Sequence, residues 1–234
     1  MASHRRAAMI GNKPSIYNAQ SVYNQGGVKE GEFISYNDQD LPVTYRQVNY
    51  IINNNNHANK RFRIPVTVQA SNADYIELEI ATKTRIDDSY AIFNAVATNN
   101  AVRLTCYYSP IYRGITQYFV LEIGGVATVV NNKPYKARND VVFFAPYAYI
   151  NNEQYNCNGT IYNDIAYVNW GIPKQPQKNY LKFGKVKIID KVTMQKKLNA
   201  IPCIDPDGLI GFFDTVSQTF TTLFEGDNNL LLTE

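Results

Sequence analysis

Asp74-Tyr75-Ile76-Glu77-Leu78-Glu79-Ile80-Ala81 alternates without a break. Side chains of an extended chain point to opposite faces in turn. Ile76, Leu78 and Ile80 therefore share one face, and Glu77 and Glu79 share the other. The reading is a strand with one face on a core and one face in water. Similar runs lie on both sides of it. Upstream are Thr44 to Ile52, broken by Asn53 to Asn56, and Ile64 to Gln69. Downstream are Ser89 to Ala97, Ala101 to Tyr108, Tyr118 to Ile123, Val126 to Val130, Val141 to Tyr149, Thr160 to Trp170, Leu181 to Ile189 and Gly211 to Leu223. Gly124-Gly125 joins two of these runs and is a hairpin signal. Short strands punctuated by Asn, Gly and Pro predict antiparallel pairing in a sandwich rather than βαβ units. Thr193 to Asn199 and Ser217 to Phe224 are the two weak helix candidates.

Composition agrees. The 234 residues include 18 Tyr and 11 Phe but one Trp, and Asn is about one residue in nine. Tyr and Phe favour strands and Asn favours turns, so a helical bundle or coiled coil is excluded. A hydrophobic fraction of 45% is enough for a core and argues against a disordered chain. No apolar run approaches the roughly 20 residues that span a bilayer. Met1 to Arg6 is charged but lacks a following apolar stretch, so no signal peptide is expected.

Residues 1–40 read differently from the rest. Asn, Gln, Gly and Ser dominate, with no strand or helix period. The expectation is an extended N-terminal arm followed by one sandwich over 41–234. The arm holds Arg5, Arg6, Tyr17, Tyr23 and Tyr36, residue types that anchor interfaces once desolvated. They are the expected docking residues on a partner subunit.

Charge is uneven. Eight lysines and one acid, Asp190, lie between Lys174 and Lys197, whereas Ile204 to Glu234 carries six acids and no Lys or Arg. A sheet can set these segments side by side, and the alternative is a basic face for an anionic partner. No nucleic-acid motif accompanies the lysines.

Few residues suit chemistry. Cys106, Cys157 and Cys203 are widely spaced, and His4 and His57 are isolated, so no zinc site or disulfide framework is written here. Asp205-Pro206-Asp207-Gly208 reads as a turn rather than a calcium loop. Asn158-Gly159-Thr160 is a formal glycosylation acceptor that reads as a turn. Glu77 and Glu79 could be the acids of a sandwich glycosidase. The third position of the Glu-x-Asp-x-Glu pattern of concanavalin-like glycosidases is Ala81, which leaves the set incomplete and favours a solvated face. Tyr112, Tyr147, Tyr149 and Trp170 are the aromatic residues suited to stacking on sugar rings.

The C-terminal third carries a resemblance. Tyr180 to Asp190, then Leu198 to Cys203, then Gly208 to Phe220 resemble the closing strands of laminin-G-like, concanavalin-like modules in structural proteins of tailed phages of gut bacteria. The matching residues are Gly184, Lys187, Ile188, Asp190, Ile201, Pro202, Cys203, Gly211, Asp214, Thr215, Val216, Ser217, Thr219 and Phe220. Leu41-Pro42 to Ile51, Phe62 to Pro65 and Asn72 to Ile80 resemble the opening strands more weakly. Phe224 to Asn228 departs from the closing pattern of the family.

The resemblance implies an antiparallel jelly-roll β-sandwich in which Phe213 and Phe220 anchor the last hairpin in the core. It also implies a non-enzymatic virion protein, a head fibre, capsid decoration or tail component. Its partners would be other virion proteins and further copies of itself, with the arm as the docking element. The alternative is a carbohydrate-binding module for host polysaccharide. A glycoside hydrolase is the third reading. No cofactor, metal, nucleic acid or membrane partner is expected.

Overall fold

The computed structural model describes residues 41–42, 44–53, 61–82, 90–112, 115–130, 139–170, 181–225 and 231–233. The expected arm, with Arg5, Arg6, Tyr17, Tyr23 and Tyr36, lies outside the described residues. Among the latter there are strands, turns and loops and no helix. Strands are numbered along the chain.

Two antiparallel sheets form a jelly-roll sandwich. The main path of the larger sheet begins at β11 (Glu153–Asn156), β10 (Tyr147–Ile150), β9 (Asn139–Phe144) and β4 (Tyr75–Thr82). It continues through β13 (Leu181–Ile189), β14 (Lys196–Ile204), β15 (Ile210–Asp214) and β16 (Thr219–Thr221). β1 (Arg46–Gln47) pairs with β14, and β2 (Ile51–Asn53) pairs with β13 and β18 (Leu231–Thr233). The smaller sheet runs from β17 (Leu223–Glu225) and β3 (Arg61–Ala70) through β12 (Ile165–Trp170) and β5 (Tyr90–Ala97). β6 (Val102–Tyr112), β7 (Ile115–Ile123) and β8 (Val126–Val130) complete it. β4 lies between β9 and β13, and β12 between β3 and β5. Such non-local neighbours distinguish a jelly roll from a meander.

The expected alternation of β4 sets its inner face. Ile76, Leu78 and Ile80 are fully buried with Phe183, Val186 and Ile188 of β13 beside them. Phe62, Phe93, Leu104, Leu121 and Trp170 belong to the same core cluster from the facing sheet. The Gly124-Gly125 hairpin joins β7 to β8 as expected. Its two glycines have φ of 55° and 83°, the left-handed pair a type I′ turn requires.

Three strand-level expectations are corrected. Thr193 to Asn199 is no helix. Asp190 accepts from the amides of Val192 and Thr193 in a tight turn, and β14 starts at Lys196. Leu198 and Ala200 then enter the core in strand alternation. Ser217 to Phe224 is no helix either, because a turn, β16 and β17 occupy it.

The third correction concerns the closing hairpin. Phe212, not Phe213, enters the core, edge-on to Phe62 at 5.0 Å. Phe213 is buried as expected, at 4% exposed, but it pairs with Phe220 across β15 and β16, so both stand on the other face of the sheet. Tyr45 lies against them at 4.9 and 5.5 Å. Phe220 is only half-buried. Phe212→Ala is therefore expected to cost about 3–5 kcal/mol, the range for a fully buried aromatic. Phe220→Ala should cost clearly less in the same urea titration. Equal losses would mean that Phe220 is a core residue after all.

Candidate functional site

The outer face of the larger sheet is not wet. Register places Tyr149 of β10 opposite Val142 of β9, Val142 opposite Glu77 of β4, Glu77 opposite Lys187 of β13, and Lys187 opposite Asn199 of β14. All five side chains face away from the sandwich core, yet each is at most 5% exposed. The expectation of a solvated Glu77 is corrected. Alternation gave the right face, but a face on the far side of a sheet need not meet water.

Glu77 is the unusual member. It is 1% exposed, and neither carboxylate oxygen has a hydrogen-bond partner among the protein atoms. A buried polar group without a partner costs free energy, more so when ionised. Burial pushes its carboxyl up from 4.5 to about 7; Lys187 opposes that shift and Asp140 adds to it. Asn199 also leaves its Oδ1 without a hydrogen bond on this face. Its Nδ2 donates to Thr215 Oγ1 at 2.8 Å, which fixes the amide. Two open acceptors thus flank Lys187.

Aromatic groups border the row. Phe144 stacks on Tyr149 at 5.5 Å and 12°, and meets Tyr75 edge-on at 5.1 Å. Tyr147 lies 5.7 Å from Phe144 and is half-buried. Tyr149 donates its hydroxyl proton to Gln154 Oε1 at 2.6 Å. Glu79 stands one step along β4 on the same face and accepts from the Tyr50 hydroxyl at 3.2 Å. A register irregularity in β13 between Phe183 and Val186 brings Gly184 against Glu79. A Cβ at Gly184 would lie 2.7 Å from the Glu79 stem, so glycine makes room for this carboxylate.

The sugar-stacking candidates separate. Tyr147 and Tyr149 lie together beside the Glu77 row. Tyr112 ends β6 in the other sheet. Trp170 is corrected: it is fully buried in the sandwich core, with Phe93 at 5.3 Å and Phe183 at 5.4 Å, so its ring faces offer nothing to a sugar. Lys187 and Asn199 were missed. The alternation of Lys185 and Lys187 with Val186 and Ile188 signals their face, but not that β13 lies beside β4.

Three other groups of polar or thiol side chains are structural. Lys197 bridges Asp74 at 2.9 Å and Asp190 at 3.0 Å, clamping the β13–β14 turn. Backbone amide donors, then Lys197, hold the Asp190 carboxyl well below the usual range. Asp205 accepts from the amides of Asp207 and Leu209, the expected turn. Cys106, Cys157 and Cys203 are buried free thiols, and burial pushes each one up. No three His, Cys, Asp or Glu side chains among the described residues converge as a metal site.

No protein-family model and no curated protein matches the chain. Solved structures do resemble it. One is an alginate lyase from Alteromonas sp. 272, 12% identical with a TM-score of 0.36, over 58% of this chain. The match spans 63% of that lyase's length. Another is a family 18 polysaccharide lyase, aly-SJ02, 10% identical with a TM-score of 0.37, over 78% of this chain and 83% of that one. Both are named as polysaccharide-cleaving enzymes, and neither as a virion component. These names stand against the expected non-enzymatic virion role and the expected lack of enzyme activity. Likeness at this level transfers neither substrate nor residue roles.

Proposed function

We propose that the outer face of the larger sheet binds a polysaccharide chain and that Glu77 moves a proton in cleaving it. One observation carries the reading: a fully buried carboxyl with both oxygens open and its titration raised to about 7. A general acid or base works best when its pKa lies near the operating pH, and such perturbed groups cluster at functional sites. Folding gains nothing from an ionisable group held this way. Lys187 directly opposite supplies a positive charge, and the open Asn199 carbonyl is ready for a sugar hydroxyl. Half-buried Tyr147, packed beside Phe144, offers apolar surface for a ring face. Half-buried Tyr147, Glu79 and Lys185 mark where a chain would enter.

The test is incubation of the purified protein with a panel of anionic and neutral polysaccharides between about pH 5 and 9, the range in which such groups work. Chain length, new reducing ends and the ultraviolet absorbance of unsaturated sugars are followed. Shortened chains with a rate that inflects near pH 7 are the expected result. The absorbance then separates elimination from hydrolysis. Unchanged chain length across the panel and the pH range would overturn the reading.

A further inference from the structure

The smaller sheet carries a second polar row on its own outer face, remote in the topology from Glu77. Register places Arg63 of β3 opposite Asn169 of β12, Asn169 opposite Asn94 of β5, Asn94 opposite Thr105 of β6, and Thr105 opposite Glu122 of β7. Each sits between core residues of its strand: Phe62 and Ile64, Val168 and Trp170, Phe93 and Ala95, Leu104 and Cys106, Leu121 and Ile123. All five polar side chains therefore project away from the sandwich core. Four strand spacings make the row about 19 Å long.

Its centre is unsatisfied. Asn169 is 5% exposed, and its Oδ1 has no hydrogen-bond partner. Asn94 Oδ1 is buried and equally open. The two carbonyls come from directly opposed residues, whose Cβ atoms lie about 5 Å apart in such pairs. Beside them the Arg63 guanidinium lies over the Tyr167 ring, 4.6 Å from its centre.

We propose that this row is a second, separate binding ledge for the hydroxyl edge of a neutral oligosaccharide. The chemistry of the open groups selects the ligand. A buried amide carbonyl needs a donor. Carboxylates, sulfates and phosphates themselves give no proton at neutral pH, whereas sugar hydroxyls do, and neutral sugars carry the most of them along their length. An extended peptide also donates, but it docks on strand edges through backbone pairing, and this row lies on a sheet face. Two adjacent acceptors, a Thr hydroxyl and a terminal cation match a ligand that runs across the strands.

The inference is independent of the Glu77 chemistry. Calorimetric titration with cello-, xylo-, manno- and maltohexaose tests it, alongside a hexauronate. Binding of at least one neutral hexaose is expected, with the hexauronate weaker at this face. Asn94→Leu and Asn169→Leu should each weaken binding at least tenfold while leaving the melting temperature nearly unchanged, because each removes an unsatisfied polar group. Glu77→Gln should leave this binding intact, which separates the two faces. Side-chain amide NMR signals of Asn94 and Asn169 in the wild-type protein should shift on titration, a readout that needs no variant. No binding by any hexaose, stoichiometry and affinity both unchanged in the double Leu variant, or amide signals unmoved at saturation would each overturn the proposal. So would shifts of these amides produced by an extended peptide and not by the sugars.

Discussion

Glu77→Gln is expected to lower polysaccharide cleavage by about two to four orders of magnitude, the usual contribution of a positioned acid or base, and to stabilise the fold above pH 7. The two effects share one cause. In the folded protein the Glu77 carboxyl holds its proton up to about pH 7, against 4.5 for an unperturbed glutamate. A raised carboxyl contributes stability that is fully present below about pH 4.5 and is lost as pH rises through about 7. A shift of this size corresponds to about 3 kcal/mol, at 1.36 kcal/mol per pKa unit. Above pH 7 the wild type holds a buried charge that meets Lys187 but makes no hydrogen bond. Gln has nearly the same shape and no charge, so this cost disappears. Wild-type stability should decline from pH 5 to 8, and that of the variant should stay flat. Guanidinium titrations across this pH range check the stability, and the chain-length assay checks the activity. A structural carboxylate would behave in the opposite way, with Glu77→Gln losing stability at pH 8. Loss of both properties together would remove Glu77 from the chemistry.

How much of this was legible in the sequence depends on the range of the interaction. Alternation in Tyr75 to Ala81 assigned each residue to its face, and Gly124-Gly125 placed a hairpin, because both are local consequences of backbone geometry. The fate of the outer face was not legible. The neighbours of Glu77 are Val142 and Lys187, 65 and 110 positions along the chain. No local pattern encodes that register, and the register is what turns a strand acid into a buried one. Thr193 to Asn199 was misread for a related reason. Its Lys196-Lys197-Leu198-Asn199 end tolerates a helix, and pairing of the Lys196–Ile204 strand with β13 and β15 overrides that preference. The Phe212/Phe213 exchange shows the cost of a one-residue slip. An aromatic pair gives no phase by itself, and a shift by one exchanges core for outer face.

Trp170→Ala is expected to cost about 3–5 kcal/mol, the range for truncating a buried large aromatic. For a domain of this size that lowers the melting temperature by roughly 10 °C, at about 2–4 °C per kcal/mol. The indole sits in the sandwich between Phe93 of its own sheet and Phe183 of the facing one. Its removal leaves a cavity at the point where the two sheets meet, which a strand framework cannot collapse to fill. The indole N–H adds a second effect, because it has no hydrogen-bond partner. Trp170→Phe deletes that unsatisfied donor and keeps an aromatic ring against Phe93. Its smaller cavity is partly offset, and a loss of about 1–2 kcal/mol is expected. The Ala-to-Phe gap is what distinguishes a core tryptophan from a sugar platform. A platform residue would lose glycan affinity in both variants while the melting temperature stayed put. Here thermal denaturation should separate the two variants sharply. Glycan affinity, measured at a temperature where each variant is still folded, should stay close to that of the wild type. Lost affinity at unchanged stability would return Trp170 to the surface and reverse the inward direction assigned to β12.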